Sequence, residues 1–169
     1  MSSLPSTPAL ALDELLLPEV GLGEDVLGQL RAITAGDRVS TDRFERAFHA
    51  VGKSYLDLLR IRSGALPGVP AAVVSPESPD EVLELLAYCA ARRVAVVPFG
   101  GGSSVVGGVQ AHRARGPAGV VTLDTTRMDR LGDLDEVSHT ATFQAGIYGP
   151  ALEEKLAARG YTLGHYPQS

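Results

Sequence analysis

A single cysteine in 169 residues, Cys89, leaves no partner for an internal disulfide, and its neighbours Leu85, Leu86 and Ala90 mark it as a small packed hydrophobe. No uncharged apolar run reaches the roughly eighteen residues that a membrane-spanning helix needs. The opening stretch MSSLPSTPALALDELLLPEVGLGED has no basic region and is broken by Pro5, Pro8, Asp13 and Glu14, so it does not read as a signal peptide. A cytoplasmic protein is expected, with peripheral membrane attachment as the alternative. Aromatic residues make up only 5%, and fifteen Lys and Arg stand against twenty Asp and Glu, a formal net charge of -5 without any basic run. That balance argues against a nucleic-acid partner. His112 and His139 show no metal-ligand spacing with Cys89 or with an acid cluster, so no metal site is expected.

What is present suffices for one domain with a real core: 44% hydrophobic and 21% charged residues. Residues 1–9 read as a disordered lead-in and residues 10–68 as an N-terminal helical region. Within that region, Leu10 to Leu17 can form one short helix ended by Pro18, and Val26, Leu27, Leu30 and Ile33 fall at helical spacing over Glu24 to Thr34. Asp42 can cap a further segment in which Phe44, Ala47, Phe48 and Val51 share a face until Gly52 weakens the pattern. His49, Lys53, Arg60 and Arg62 are expected on a solvated or inter-domain face, rather than at a phosphate entrance.

From Ala71 the pattern changes. AAVVS is a short β-branched run. SPDEVLELLAYCAARR follows, with Ser78 as N-cap, Pro79 at the first helical position, Glu81 completing a capping box, and Val82, Leu85, Leu86 and Cys89 as the apolar stripe. VAVVP comes next, so strand, capped helix and strand form a βαβ unit with both strands parallel in one sheet. AGVVTLD and SHTATFQAG then read as an antiparallel pair joined by a turn-like LGDLDEV. GPALEEKLAARG is a helix punctuated by Pro150 and Gly160.

The second strand of the unit runs directly into glycines: VAVVPFGGGSSVVGGVQ, residues 94–110. A dinucleotide fingerprint needs a helix opening at the glycines, but Gly107, Gly108, Gly116 and Pro117 deny any helical period and Val105 occupies the third glycine position. A nucleoside-triphosphate loop needs a lysine and hydroxyl ending, whereas Gly107 precedes Gly108 and Val109. Two readings remain. Consecutive amides can converge on an anion that no Cβ holds away, with hydroxyls from Ser103 and Ser104; or the stretch merely connects. The first is favoured, because three successive glycines carry an ordering cost that a plain connection has no use for.

PFGGGSSVVGG behind the capped helix resembles the FAD-linked oxidases, the flavoproteins with a vanillyl-alcohol oxidase or PCMH-type FAD-binding domain. GKSYLDLLRIRSG, VVTLDTTRMDRL and FQAGIYGPALEEKLAARGYTLGHYPQS are most similar to the alkyldihydroxyacetonephosphate synthase branch, over about Phe44 to Ser169. The resemblance implies an α+β fold: a small parallel βαβ subdomain, preceded by the N-terminal helices and followed by the start of a second subdomain with antiparallel strands. Residues 69–169 would be the N-terminal part of the FAD-binding domain.

The resemblance also implies FAD as cofactor, bound non-covalently because no histidine stands among the glycines. It assigns cofactor contacts to Pro98, Phe99, Gly100, Gly101, Gly102, Ser103, Ser104 and Val105, and to Pro167, Gln168 and Ser169 as the start of a second loop. The catalytic residues and the domain that handles the small-molecule substrate would lie downstream. The chain would then be an N-terminal fragment, inactive alone, of a parent that exchanges acyl for alkyl on acyl-glycerone phosphate through a flavin N5 adduct; a homodimer of that parent stays open. The alternatives are an FAD-dependent D-2-hydroxy-acid dehydrogenase or oxidase of the lactate or glycolate type, and a non-catalytic nucleotide- or phosphate-binding module. His165 is expected to shape the turn before Pro167, and Asp124 to cap a turn rather than to touch a cofactor.

Overall fold

The computed structural model describes residues 10–112 and 118–166. After a 3-10 turn at Leu12–Glu14, helix α1 spans Glu24–Ile33, strand β1 Val39–Ser40, helix α2 Arg43–Phe48 and helix α3 Tyr55–Ser63. Strand β2 is Ala72–Val74, helix α4 Pro79–Ala91, strand β3 Val94–Phe99 and strand β4 Gly119–Asp124. Strands β5, Leu131–Asp135, and β6, Thr140–Phe143, precede helix α5 at Gly149–Ala157. Among the described residues, no helix is long and apolar enough to cross a membrane.

The βαβ unit forms as its punctuation dictates. Ser78 accepts the Glu81 amide at 3.2 Å and Pro79 opens α4. The other half of the capping box is displaced by one residue: the Glu81 carboxylate accepts from the Glu77 amide and grips Arg38, both of whose terminal nitrogens lie at 2.9 Å. Leu85 and Cys89 are buried as the stripe requires, but Leu86 lies outward, because one helix face can meet only one sheet face.

β2 and β3 are parallel in one sheet of order β1-β2-β4-β3, yet they do not touch each other: β4 lies between them, parallel to both. The expected pairing of AGVVTLD with SHTATFQAG is therefore corrected. Val120 to Leu123 are buried without interruption, the signature of a strand covered on both faces, which belongs in the middle of a parallel sheet. LGDLD, expected as a turn, is instead β5 and pairs antiparallel with β6, its Leu131 and Leu134 half-buried and its polar residues outward.

One sheet face, carrying Ala72, Val74, Val121, Leu123 and Val94, packs on Leu85 and Cys89 of α4 and on Val26, Leu27 and Leu30 of α1. Residues 10–68 thus contribute to the same core, and β1 extends the same sheet as an antiparallel edge. Two arginines of α2 strap the N-terminal segment down: Arg43 donates to the carbonyls of Leu12, Asp13 and Leu15, and buried Arg46 to those of Pro70 and Pro18. The segment capped by Asp42 is two helices, parted at His49–Ser54 near the glycine that breaks its periodicity.

Candidate functional site

Phe99 pairs with Asp124 in register, so β3 and β4 finish together at the carboxyl edge of the sheet, where open α/β sheets bind ligands. The glycine stretch leaves from that edge. Thr125 locks its start, its amide and its hydroxyl donating to the Phe99 carbonyl at 2.9 and 3.1 Å. Gly102 turns with φ +64°, and a Cβ there would come within 2.5 Å of the Phe99 ring, so both the dihedral and the close approach demand glycine.

The far end of the loop is held by the N-terminal helices. The Lys53 amide donates to the Ser104 carbonyl at 2.8 Å, and Gly52 lies so close beneath that carbonyl that a Cβ would overlap it. Ser104 Oγ accepts the Gly108 amide at 3.0 Å, folding the loop back on itself. Gln110 Nε2 donates at 2.9 Å to Asp57, a fully buried carboxylate that also accepts from Ser54 and Arg60. Burial pushes the Asp57 carboxyl up, but the Ser54, Arg60 and Gln110 donors outweigh that effect and hold it below the usual carboxylate range.

Between these fixed ends, the amides of Gly100, Gly101, Gly102 and Ser103 donate to no acceptor among the described residues. A Cβ at Gly100 or Gly101 would meet nothing closer than 3.5 Å. Gly101 and Ser103 are exposed, Tyr148 stands at the side of Gly101, and Val105 projects into solvent. Pro98 lies exposed at the end of β3, while Phe99 is buried below the loop. Free amides on bare backbone at a strand end fit a diphosphate: they provide donors without needing a lysine. Pro167, Gln168 and Ser169 lie outside the described residues.

Beneath the loop is an arrangement that the sequence did not disclose. His49, expected on a solvated or inter-domain face, is 2% exposed. Its Nδ1 is 2.8 Å from the Glu45 carbonyl and its Nε2 3.3 Å from Asp124 Oδ2, while Asp124 Oδ1 accepts the Thr126 amide at 2.8 Å in the expected turn cap. Burial pushes the imidazole down, but the Asp124 hydrogen bond, the Glu45 carbonyl and the two nearby carboxylates reverse this, raising it above 6.5. Asp124, pushed up by burial, is held below its ordinary value by His49 and Thr126. Arg60 pairs with Asp57, Lys53 and Arg62 are exposed, and His165 lies exposed in the C-terminal loop. Among the described residues, no group of His, Cys, Asp or Glu is arranged to hold a metal.

A family described as the FAD binding domain matches residues 70–169. The chain belongs to that family. Its cofactor is FAD, and the glycine loop falls inside the matched FAD-binding segment. The chain is 34% identical over 165 residues to the alkyldihydroxyacetonephosphate synthase of Trypanosoma brucei brucei, covering 96% of this chain and 27% of that protein. It is 31% identical over 137 residues to a mitochondrial D-lactate dehydrogenase (cytochrome) of Arabidopsis thaliana, covering 81% of this chain and 22% of that protein. A solved alkyldihydroxyacetonephosphate synthase superimposes with a TM-score of 0.90 at 32% identity, over 99% of this chain and 30% of that one. The chain thus spans under a third of the relatives it matches. A solved p-cresol methylhydroxylase superimposes with a TM-score of 0.58 at 14% identity, over 81% of this chain and 25% of that one, which bears out the α+β fold of PCMH type, with its parallel and antiparallel parts.

Proposed function

We propose that this chain supplies the pyrophosphate-holding part of a flavoenzyme that exchanges the acyl group of acyl-glycerone phosphate for an alkyl group. The observation that carries the reading is the row of amides at residues 100–103 that meet no acceptor among the described residues, in a chain of the FAD binding domain family that is similar over 96% of its length to an alkyldihydroxyacetonephosphate synthase. In this reading the amides of Gly100 to Ser103 donate to diphosphate oxygens, and the Ser103 and Ser104 hydroxyls add two further donors. Phe99 and Gly102 fix the direction of the amides, and Val105 lies along the cofactor's rim. Pro167, Gln168 and Ser169 begin a second contact. The absence of histidine from residues 100–104 supports a non-covalent cofactor.

FAD, when bound, supplies a ring nitrogen, N5, able to act both as electrophile and as nucleophile. This chain's residues hold and orient the diphosphate end of the cofactor; the groups that handle substrate belong to the remainder of the parent. The second reading, an FAD-dependent D-2-hydroxy-acid dehydrogenase, draws on the similarity to the D-lactate enzyme. Full-length protein, purified yellow, is to be mixed anaerobically with acyl-glycerone phosphate and a labelled long-chain alcohol, and separately with D-lactate and glycolate. Labelled ether product with the flavin spectrum unbleached upholds the first reading. Bleaching by a 2-hydroxy acid without ether product replaces it with the second, and protein that carries no flavin overturns both.

A further inference from the structure

Beneath the loop, the buried His49 ring and the half-buried Asp124 carboxylate form a titratable pair for which the proposed chemistry has no use. The ring is placed with care. Its Nδ1 faces a carbonyl and its Nε2 a carboxylate, at 2.8 and 3.3 Å. The Glu45 carbonyl can only accept, so Nδ1 donates to it; when Nε2 is protonated as well it donates to the Asp124 carboxylate, and the ring is then an imidazolium. Phe99 lies against it with centroids 4.3 Å apart, and Phe48 packs edge-on at 5.2 Å. The tip of the Phe99 ring lies against Gly102, the turning point of the loop.

We infer that His49 is a positioning residue for the FAD pyrophosphate: clamped between Asp124 and the Glu45 carbonyl, it braces Phe99, and Phe99 sets the height and tilt of Gly102 and its neighbouring amides. This rests on the FAD reading of the loop. The charged groups that act on the ring are Asp124 from β4 and, from its own helix, the Glu45 carboxylate, 3.6 Å from Nδ1; Lys53, from the link between α2 and α3, is turned onto Phe48 instead. Phe99 brings no charge from β3.

Loss of the proton removes the Nε2 donor, leaves the half-buried Asp124 carboxylate facing a lone pair, and loosens the brace. A histidine raised by its partners contributes fully below its ordinary value of 6.5, and the contribution disappears as pH rises through the raised value. FAD affinity therefore falls as pH rises through the raised value of His49.

The test uses full-length protein stripped of flavin, with FAD binding followed by fluorescence quenching. Between about pH 6 and about pH 9 the native protein is expected to lose roughly tenfold in affinity. His49→Gln keeps one amide donor for Asp124 but neither ring nor charge; it is expected to bind about tenfold more weakly at about pH 6 and to show no pH step. Asp124→Asn retains the Thr126 contact and the imidazole ring, and is expected to abolish the step. Affinity within about twofold of native, with the step intact, in either variant overturns the inference. Should His49→Gln not fold, Asp124→Asn and the ring-proton NMR shift of His49 in native protein decide it, a neutral ring at about pH 6 being fatal. Native protein that binds no FAD at any pH defeats the FAD reading itself, which separates the two failures.

Discussion

Gly52→Ala places one methyl group against the carbonyl that anchors the glycine loop. The new Cβ overlaps the Ser104 oxygen and lies 3.0 Å from its carbon, so the carbonyl must swing away from Lys53, whose amide it now accepts at 2.8 Å. Loss of that hydrogen bond costs about 0.5–1.5 kcal/mol and overpacking about 1–3 kcal/mol, together about 1.5–4.5 kcal/mol. For a domain of this size that is a fall in melting temperature of roughly 3–18 °C. Because the moved atom belongs to Ser104, FAD affinity is expected to fall as well. Gly28→Ala is the matched control: Gly28 is exposed in mid-helix with nothing within 4 Å of a Cβ, and the change should stabilise by about 0.5–1 kcal/mol through helix propensity alone. The assay is thermal unfolding by circular dichroism with flavin titration on the same samples. A Gly52→Ala protein that melts within about 1 °C of native and binds FAD normally would refute the reasoning, because the predicted shift is several-fold larger.

Leu85→Ala removes a side chain 1% exposed at the centre of the α1, α4 and sheet core and should cost about 2–5 kcal/mol in urea unfolding. Asp57→Ala removes the buried acceptor of Ser54, Arg60 and Gln110, with about 1–3 kcal/mol expected from the donors left unsatisfied. The native Asp57 carboxyl lies below 3.8, so its contribution is whole above that pH and is lost as pH falls through the depressed value; acid titration of native protein against Asp57→Asn should show that difference. The Cys89 thiol, pushed up to about 11 by burial, should resist iodoacetamide at neutral pH in folded protein and react at once in denaturant. Arg46→Ala frees the carbonyls of Pro18 and Pro70 and should open residues 12–20 to limited proteolysis while α4 stays protected.

What the sequence disclosed was local. The cap at Ser78, the stripe at Leu85 and Cys89, and the run of Val94 into three glycines each act over a few residues, and each is found in the fold. The order of strands is not local. Val94 to Phe99 and Gly119 to Asp124 pair across the glycine loop, and only the largely apolar run of the second, interrupted by Thr122 alone, hinted that it lies between two partners. His49 and Asp124, 75 residues apart, meet through that same pairing, so no spacing rule could join them. Gly52 was visible as a fault in a helical pattern; its reason, the nearness of Ser104, needs the tertiary fold.

The strand that delivers the loop is also the outermost of the four-stranded sheet. An open strand edge invites foreign strands to add to it, and Val105 and Val106, both well exposed, lie just beyond it. Pro98, one residue before the last of β3, has no amide hydrogen to offer and cannot serve as a rung for such an addition. Among the described residues, Pro98, beside the loop end of that strand, thus keeps this edge from pairing along its full length with another copy of the chain.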